Sequence, residues 1–155
     1  MAVQWTRQKL AGSTKNAGGD PNQAHRFTIE IDGVTVGGVH TIEGLEFENE
    51  VIEYHDGDNG VTQFRPGRQK QGRVKLIRDF SATKEFFEWR NAVVQGKVQR
   101  KSVSVIMLAD DGTEAIRYNL FECWPTKYIG PALNARNSSN ATEAIEFCFE
   151  RHEMK

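Results

Sequence analysis

Arg26-Phe27-Thr28-Ile29-Glu30-Ile31-Asp32-Gly33 is the stretch on which the fold turns. Phe27, Ile29 and Ile31 alternate with Thr28, Glu30 and Asp32, a period of two that puts one side of a strand in a core and the other in water. Asp32-Gly33 is a turn signal, and Val34 to Val39 returns as a second short strand. The same pattern recurs outward along the chain. Leu45, Phe47 and Val51 take one face of a long run while Glu46, Glu48 and Glu50 take the other, with Arg73 and Lys75 of the later strand Gln71–Arg78 as expected cross-strand partners. Val103, Val105 and Met107 lead into a hairpin turn at Asp110-Asp111-Gly112, and Thr113 to Trp124 pairs back. Pro125 has no N–H to donate, so it marks a strand end, an edge or a bulge. Ile145, Phe147 and Phe149 alternate with Glu146, Cys148 and Glu150 in a last strand. One helix interrupts this series: Phe86, Phe87, Trp89, Val93 and Val94 recur at helical spacing, with Ser81 as cap and Gly96 as stop. The expectation is a mainly β chain, an antiparallel β-barrel or sandwich of about seven or eight strands with one packed α-helix.

Composition narrows the function. A chain of 155 residues fits one domain and is long enough to bury a core without staples. Twenty basic residues against 21 acidic ones give a net charge of −1, which lacks the cationic excess that sequence-independent nucleic-acid binding needs. Near-neutrality also weakens repulsion between copies. Two cysteines, Cys123 and Cys148, imply no disulfide framework and read as small buried hydrophobes in strands. No apolar run is long enough to span a membrane, so no membrane insertion by this chain is expected. The segment Met1-Ala2-Val3-Gln4-Trp5 lacks signal-peptide character, so synthesis in the bacterial cytoplasm is expected. Residues 1–24 are polar and rich in Gly, Ser, Thr and Asn, an arm or loop expected to be either disordered alone or ordered by a neighbour on assembly; residues 25–155 form the β domain.

Nothing in the chain carries a catalytic constellation. Asp56-Gly57-Asp58-Asn59-Gly60 fails as a calcium loop, because Gly60 and Gly67 stand where a short acid or amide and a bidentate Glu belong. His25, His40, His55 and His152 have no metal-ligand spacing, and His55 beside Asp56 makes at most an acid–base pair in search of a pocket. No nucleophile elbow, phosphate loop or dinucleotide fingerprint occurs. No cofactor or metal is expected, and the chain does not read as an enzyme. The polar stretch His55 to Gln71 reads as a long loop between strands, and residues 130–141 as a second one.

Trp124-Pro125-Thr126-Lys127-Tyr128-Ile129-Gly130-Pro131-Ala132-Leu133-Asn134-Ala135 closely resembles the signature of the contractile-phage tail tube protein family. Ile42-Glu43-Gly44-Leu45, Glu50-Val51-Ile52-Glu53-Tyr54, Pro66-Gly67-Arg68 with Gly72-Arg73-Val74-Lys75-Leu76, Phe87-Glu88-Trp89 and Gly96 to Lys101 resemble further pieces of it in order, across about residues 26–153. Arg65 stands where that family often has an apolar residue. The family is similar to the haemolysin-coregulated protein of type VI secretion. The resemblance implies hexameric rings that stack into a hollow tube, driven by a contracting sheath, with DNA or effector proteins as luminal cargo. It implies as partners the chain itself, a sheath protein, baseplate or hub proteins and a tube terminator, within a phage tail or contractile injection particle. Expected contact residues between subunits or rings are His55, Asp56, Asp58, Asn59, Arg65, Arg68, Lys70, Gly130, Pro131 and Asn134; expected lumen residues are Glu46, Glu48, Glu50, Arg73 and Lys75. Trp124 and Pro125 are structural, with Trp124 in the core. The competing readings are a monomeric β-barrel that binds a small ligand or oligosaccharide, and an enzyme built on His55 and nearby carboxylates.

Overall fold

Alternation is realised first in β1 (Phe27–Ile31), whose Ile29 is almost fully buried between Thr28 and Glu30. A computed structural model of the chain describes residues 26–58, 60–81, 83–136 and 139–155. The expected arm at 1–24, His25 and Asn59 lie outside the described residues. The Asp32-Gly33 turn holds, with both residues at positive φ, and leads to β2 (Val34–Val36). The expected single strand from Val34 to Val39 is instead two. Gly37-Gly38, the latter at positive φ, separates β2 from β3 (Val39–Glu43), which leaves β1 altogether and pairs with β6.

The remaining elements are β4 (Phe47–His55), β5 (Thr62–Gln71), β6 (Arg73–Asp79), α1 (Glu85–Val94), β7 (Lys101–Leu108), β8 (Glu114–Ile129), β9 (Thr142–Cys148) and β10 (Arg151–Met154). Among the described residues ten strands thus replace the expected seven or eight, in a mainly β fold of the expected class. The large sheet runs β2-β1-β7-β8-β9-β6-β3, with β10 also on β8, and every pairing is antiparallel. Its two terminal strands, β2 and β3, are joined by only two residues, so the sheet must curl round on itself.

The long strand β8 makes that curl possible. Its first ten residues pair with β7, and Trp124 to Ile129 pair with β9. Glu122 at φ 55 and a register shift between Pro125 and Lys127 mark where it turns the corner. Pro125 therefore sits at a bulge within a continuous strand and does not end it. β9 is not the last strand: Glu150 breaks the ladder, and Arg151–Met154 returns to β8 opposite Tyr118–Phe121.

Ile29, Val74, Leu76, Val103, Val105, Leu120, Cys123, Ile145, Phe147 and Phe149 form the core, and α1 covers it with Phe86 and Trp89. The helix is shorter than its sequence signals suggest. It starts at Glu85 after Lys84 with no side-chain cap, and the Ser81 hydroxyl is bonded to that of Thr83 instead. Gly96 does end it, at positive φ, its N–H donating to the Val93 carbonyl. Only Phe86 and Trp89 of the aromatic stripe are buried; Phe87 lies edge-on to Tyr128 and stays half exposed.

Candidate assembly surface

The β4–β5 hairpin is where the chain departs furthest from a self-contained barrel. Among the described residues these strands pair only with each other, outside the large sheet. Thr62 to Gln71 is strand, so the expected loop from His55 to Gln71 shrinks to a tip at 56–61. The sequence hid this because, beyond its root, neither face of the hairpin is covered by the described residues. With no buried side there is no alternation to read.

Val51, Glu53 and His55 share one face with Pro66, Phe64 and Thr62, their cross-strand partners. Val51 and Phe64 are each 63% exposed there, and Val61 beside the tip is nearly as open. On the other face Ile52 is exposed, and the Arg65 guanidinium stacks 4.4 Å above the Tyr54 ring, whose hydroxyl donates to Gln63. Apolar groups of this size on an isolated ribbon mark an interaction surface. The expected inward direction of Val51 is therefore wrong: it faces solvent on this ribbon.

The root of the hairpin is fixed firmly. Phe47 stacks on His152 at 3.9 Å and meets Phe149 edge-on at 5.8 Å, while the Gln71 amide donates to the Glu150 carbonyl at 3.0 Å. Below it the incoming and outgoing chains pass so closely that two glycines are required. A Cβ on Gly44, at φ 77, would lie far inside contact distance of the Arg73 carbonyl oxygen, and one on Gly72 would be 3.0 Å from the Glu46 carbonyl oxygen. At mid-hairpin the ladder shifts between Asn49 and Val51, where Glu50 alone stands against Gly67 and Arg68, next to the Val51–Pro66 pair. A Cβ on Gly67 would touch Glu50 and Ile52 at 3.0–3.1 Å. Pro-Gly is thus the local chemistry of a bulge.

The residues singled out from sequence are distributed as follows. His55, Asp56 and Asp58 are exposed at or beside the tip, and Arg65, Arg68 and Lys70 are exposed along β5. Glu48 faces Lys70 across the ladder, so β4 has β5 as its partner and not the strand of Arg73 and Lys75. Those two lie on β6, where Lys75 sits 3.8 Å from Glu43 and pairs in register with Glu146. Glu46 and Glu50 are exposed, and the structure does not bring them together with Arg73 and Lys75 as one paired face. Gly130, Pro131 and Asn134 belong to the segment after β8, whose neighbour Leu133 is 86% exposed. Trp124 is half-buried and no core residue; Pro125 and Cys123 are the buried ones beside it, and Trp89 is the buried tryptophan, donating to the Gln99 carbonyl at 2.9 Å. Cys148, expected to be buried, is only half so.

Sequence reasoning missed one buried polar centre. Arg78 and Glu143, both nearly inaccessible, meet at 2.5 Å, and Arg78 also reaches Thr83 at 3.0 Å and Glu85 at 3.3 Å while lying 3.8 Å over Phe86. The Tyr128 hydroxyl donates to the other Glu143 oxygen at 2.9 Å; burial and then that carboxylate hold the phenol above its usual range. The signal was available. Val74, Leu76 and Arg78 share one side of β6, and Glu143, Ile145 and Phe147 one side of β9, so alternation alone turns both charges inward. Among the described residues no three His, Cys, Asp or Glu side chains gather as a metal site. No described helix is long and apolar enough to cross a membrane.

A sequence model of the T4-like virus tail tube protein gp19 family matches residues 23–153. The chain belongs to this tail tube family. No curated protein matches it. Among solved structures, the chain is similar to one in an extracellular contractile injection system, the PVC sheath-tube complex in the extended state, at 24% identity and a TM-score of 0.79, covering 87% of this chain and 91% of that one. It is similar to a chain of the anti-feeding prophage tube terminating cap at 23% identity and a TM-score of 0.81, covering 90% and 93%. Hcp1 from Flavobacterium johnsoniae aligns at 18% identity and a TM-score of 0.52, covering 83% and 94%. These likenesses show a shared tail-tube fold, while the family match carries the identity of a tail tube protein.

Proposed function

We propose that this chain is the repeating subunit of the hollow inner tube of a contractile tail or injection machine. Six copies close into a ring, rings stack, and DNA or effector proteins pass along the lumen. The observation that carries the reading is the β4–β5 hairpin: a firmly rooted ribbon with exposed apolar groups on both faces, in a chain whose family is defined by tail tubes. Free sheet edges supply lateral contacts between copies, and closure of the ring leaves none of them open. The hairpin, with His55, Asp56 and Asp58 at or near its tip and Arg65, Arg68 and Lys70 along β5, makes the contact between stacked rings, with Asn59 as a further contact residue; the segment with Gly130, Pro131 and Asn134 makes a further subunit contact. Charges including the exposed Glu46, Glu48, Glu50 and Arg73 and the half-buried Lys75 line the lumen as a mixed, hydrophilic surface over which cargo slides. The work is geometric, not catalytic.

Partners follow from the same reading. The similar chains come from structures described as a sheath-tube complex, a sheath/tube terminator, a tube terminating cap and a baseplate. A sheath, a terminator and a baseplate are the corresponding partners of this chain, in a virion tail or injection particle. The test is size-exclusion chromatography and negative-stain microscopy of purified protein, alone and with its sheath and baseplate proteins. Sixfold rings or rods about one ring wide are expected. A folded monomer under all of these conditions overturns the proposal.

A further inference from the structure

We propose that the Val51–Phe64 face of the β4–β5 hairpin packs, between stacked copies, against residues 130–136 of a second copy, with Glu53 set opposite that copy's Arg136. The inference rests on the tube reading and joins its two contact regions into one. Those regions lie at opposite ends of a single chain. Gly72 joins β5 directly to Arg73, the first residue of β6, and the Gln71 amide is tied to the Glu150 carbonyl, so the hairpin leaves the barrel where β6 meets Cys148 of β9. Residues 130–141 enter β9 at Thr142, which pairs with Asp79, the last residue of β6, and the Phe80 N–H donates to the Ala141 carbonyl at 2.9 Å. The seven residues of β6 hold the two places roughly 20 Å apart, at about 3.3 Å per residue. Val51, Ile52 and Phe64 stay exposed, so the ribbon does not lie back along the barrel to close that distance. A copy stacked end to end brings the two surfaces together.

The ladder sorts the ribbon into unlike faces. Glu48 and Glu50 share the side of Ile52 and Tyr54, across from Lys70 and Arg65 on β5, so that face pairs its own charges. The other face sets Asn49, Val51 and Glu53 against Gln69, Pro66 and Phe64, and Glu53 is its only carboxylate. Residues 130–136, Gly-Pro-Ala-Leu-Asn-Ala-Arg, match it with the opposite sign. Leu133 is 86% exposed beside the exposed Ala132, and Arg136 is the one charged residue from 130 to 141. The Asn134 side-chain oxygen accepts from the Arg136 N–H at 3.0 Å and fixes the turn between Leu133 and Arg136.

Among the described residues neither Glu53 nor Arg136 has an ion-pair partner in its own chain. Covered at an apolar contact, each charge needs a partner, and each supplies the other's. One carboxylate against one guanidinium also sets the register of the docked surfaces. The surfaces are unlike and lie at opposite ends, so the contact passes from copy to copy without closing, which is what a stack requires.

Charge reversal and cross-linking test the pairing on the full chain. Glu53→Arg and Arg136→Glu, both at exposed positions, are each expected to raise the concentration at which tubes form by about tenfold or more, and the double variant to return it to within about threefold of the parent. Val51→Cys with Ala132→Cys, in a Cys148→Ser background, is treated with a short bismaleimide during assembly and run on denaturing gels. A ladder that continues past six copies is expected. A ladder that ends at six puts the contact inside a ring, and cross-links confined to single chains put it inside the subunit; either result overturns the inference. So does a double charge variant as poor as the single ones, or tubes that form without any cross-link. All of these leave the tube reading standing. A parent chain that forms neither rings nor tubes beside its sheath and baseplate proteins overturns that reading, and this inference with it.

Discussion

At the scale of single residues, the tightest constraint lies at Gly44, where the chain leaves β3 for the hairpin and passes the Arg73 carbonyl. A side chain there meets both a backbone atom and a positive φ, so nothing flexible can give way. Gly44→Ala is expected to cost about 3 kcal/mol or more in denaturant unfolding. Gly67→Ala, whose nearest contacts are the Glu50 and Ile52 side chains as well as a carbonyl, should cost about 1–2 kcal/mol. Equal, small losses at both sites would show that the waist is looser than drawn. Cys123 gives a pH dependence. Its thiol is fully buried, and burial pushes its pKa up to about 12 from an ordinary 9.0. The folded chain keeps a proton that the unfolded chain gives up above pH 9.0, so this contribution to stability is intact below that value and falls as pH rises toward 12. The fall is at most about 1.4 kcal/mol per pH unit. Unfolding titrations between pH 8 and 10.5 should show that Cys123→Ala removes part of the decline seen in the parent; identical slopes would contradict the burial argument.

Elements show more clearly what was legible in the sequence and what was not. Strands with one covered face were read correctly, as at Phe27–Ile31 and Val103–Met107, because burial writes alternation into them. The hairpin was missed as a strand pair because Val51, Ile52 and Phe64 leave both its faces exposed, so no burial writes alternation into it. The helix start was misplaced because Ser81 spends its hydroxyl on Thr83, and packing of Phe86 and Trp89 holds the first turn without a cap. The candidate site was legible as a region, from its length and polarity, while its exposed apolar residues Val51, Ile52, Val61 and Phe64 were read as core or passed over. Arg78 and Glu143 bind β6 to β9 from inside, and their inward direction was readable from alternation. Glu143→Ala strands a buried guanidinium and should cost about 3–5 kcal/mol, whereas Arg78→Met with Glu143→Leu should recover most of that loss. Thermal unfolding of both variants decides it; a double variant as damaged as the single one would show that Thr83, Glu85 and Tyr128 hold the region by themselves.

For the whole molecule, the fold separates two kinds of contact, which makes the tube reading testable in two independent directions. Among the described residues the large sheet has free edges at β2, β3 and β10, and the exposed hairpin stands on a root of Phe47, Gln71 and two glycines. Changes on one therefore leave the other intact. Val51→Asp with Phe64→Asp alters two side chains that are 63% exposed, so the stability of the isolated subunit should move by less than about 0.5 kcal/mol each. Rings should still form and fail to stack, because a carboxylate buried without a partner at a contact costs several kcal/mol. His40→Pro acts the other way. His40 has no Cα partner on β6, at the irregularity between Val39 and Thr41, so proline there sits at a bulge, where strands tolerate it, and blunts the edge of β3. That variant should stay monomeric with its hairpin unchanged. Sedimentation velocity with negative-stain images separates the three states, monomer, ring and tube. Were the hairpin variant to stop at monomers and the edge variant at single rings, the two contacts would have to exchange roles.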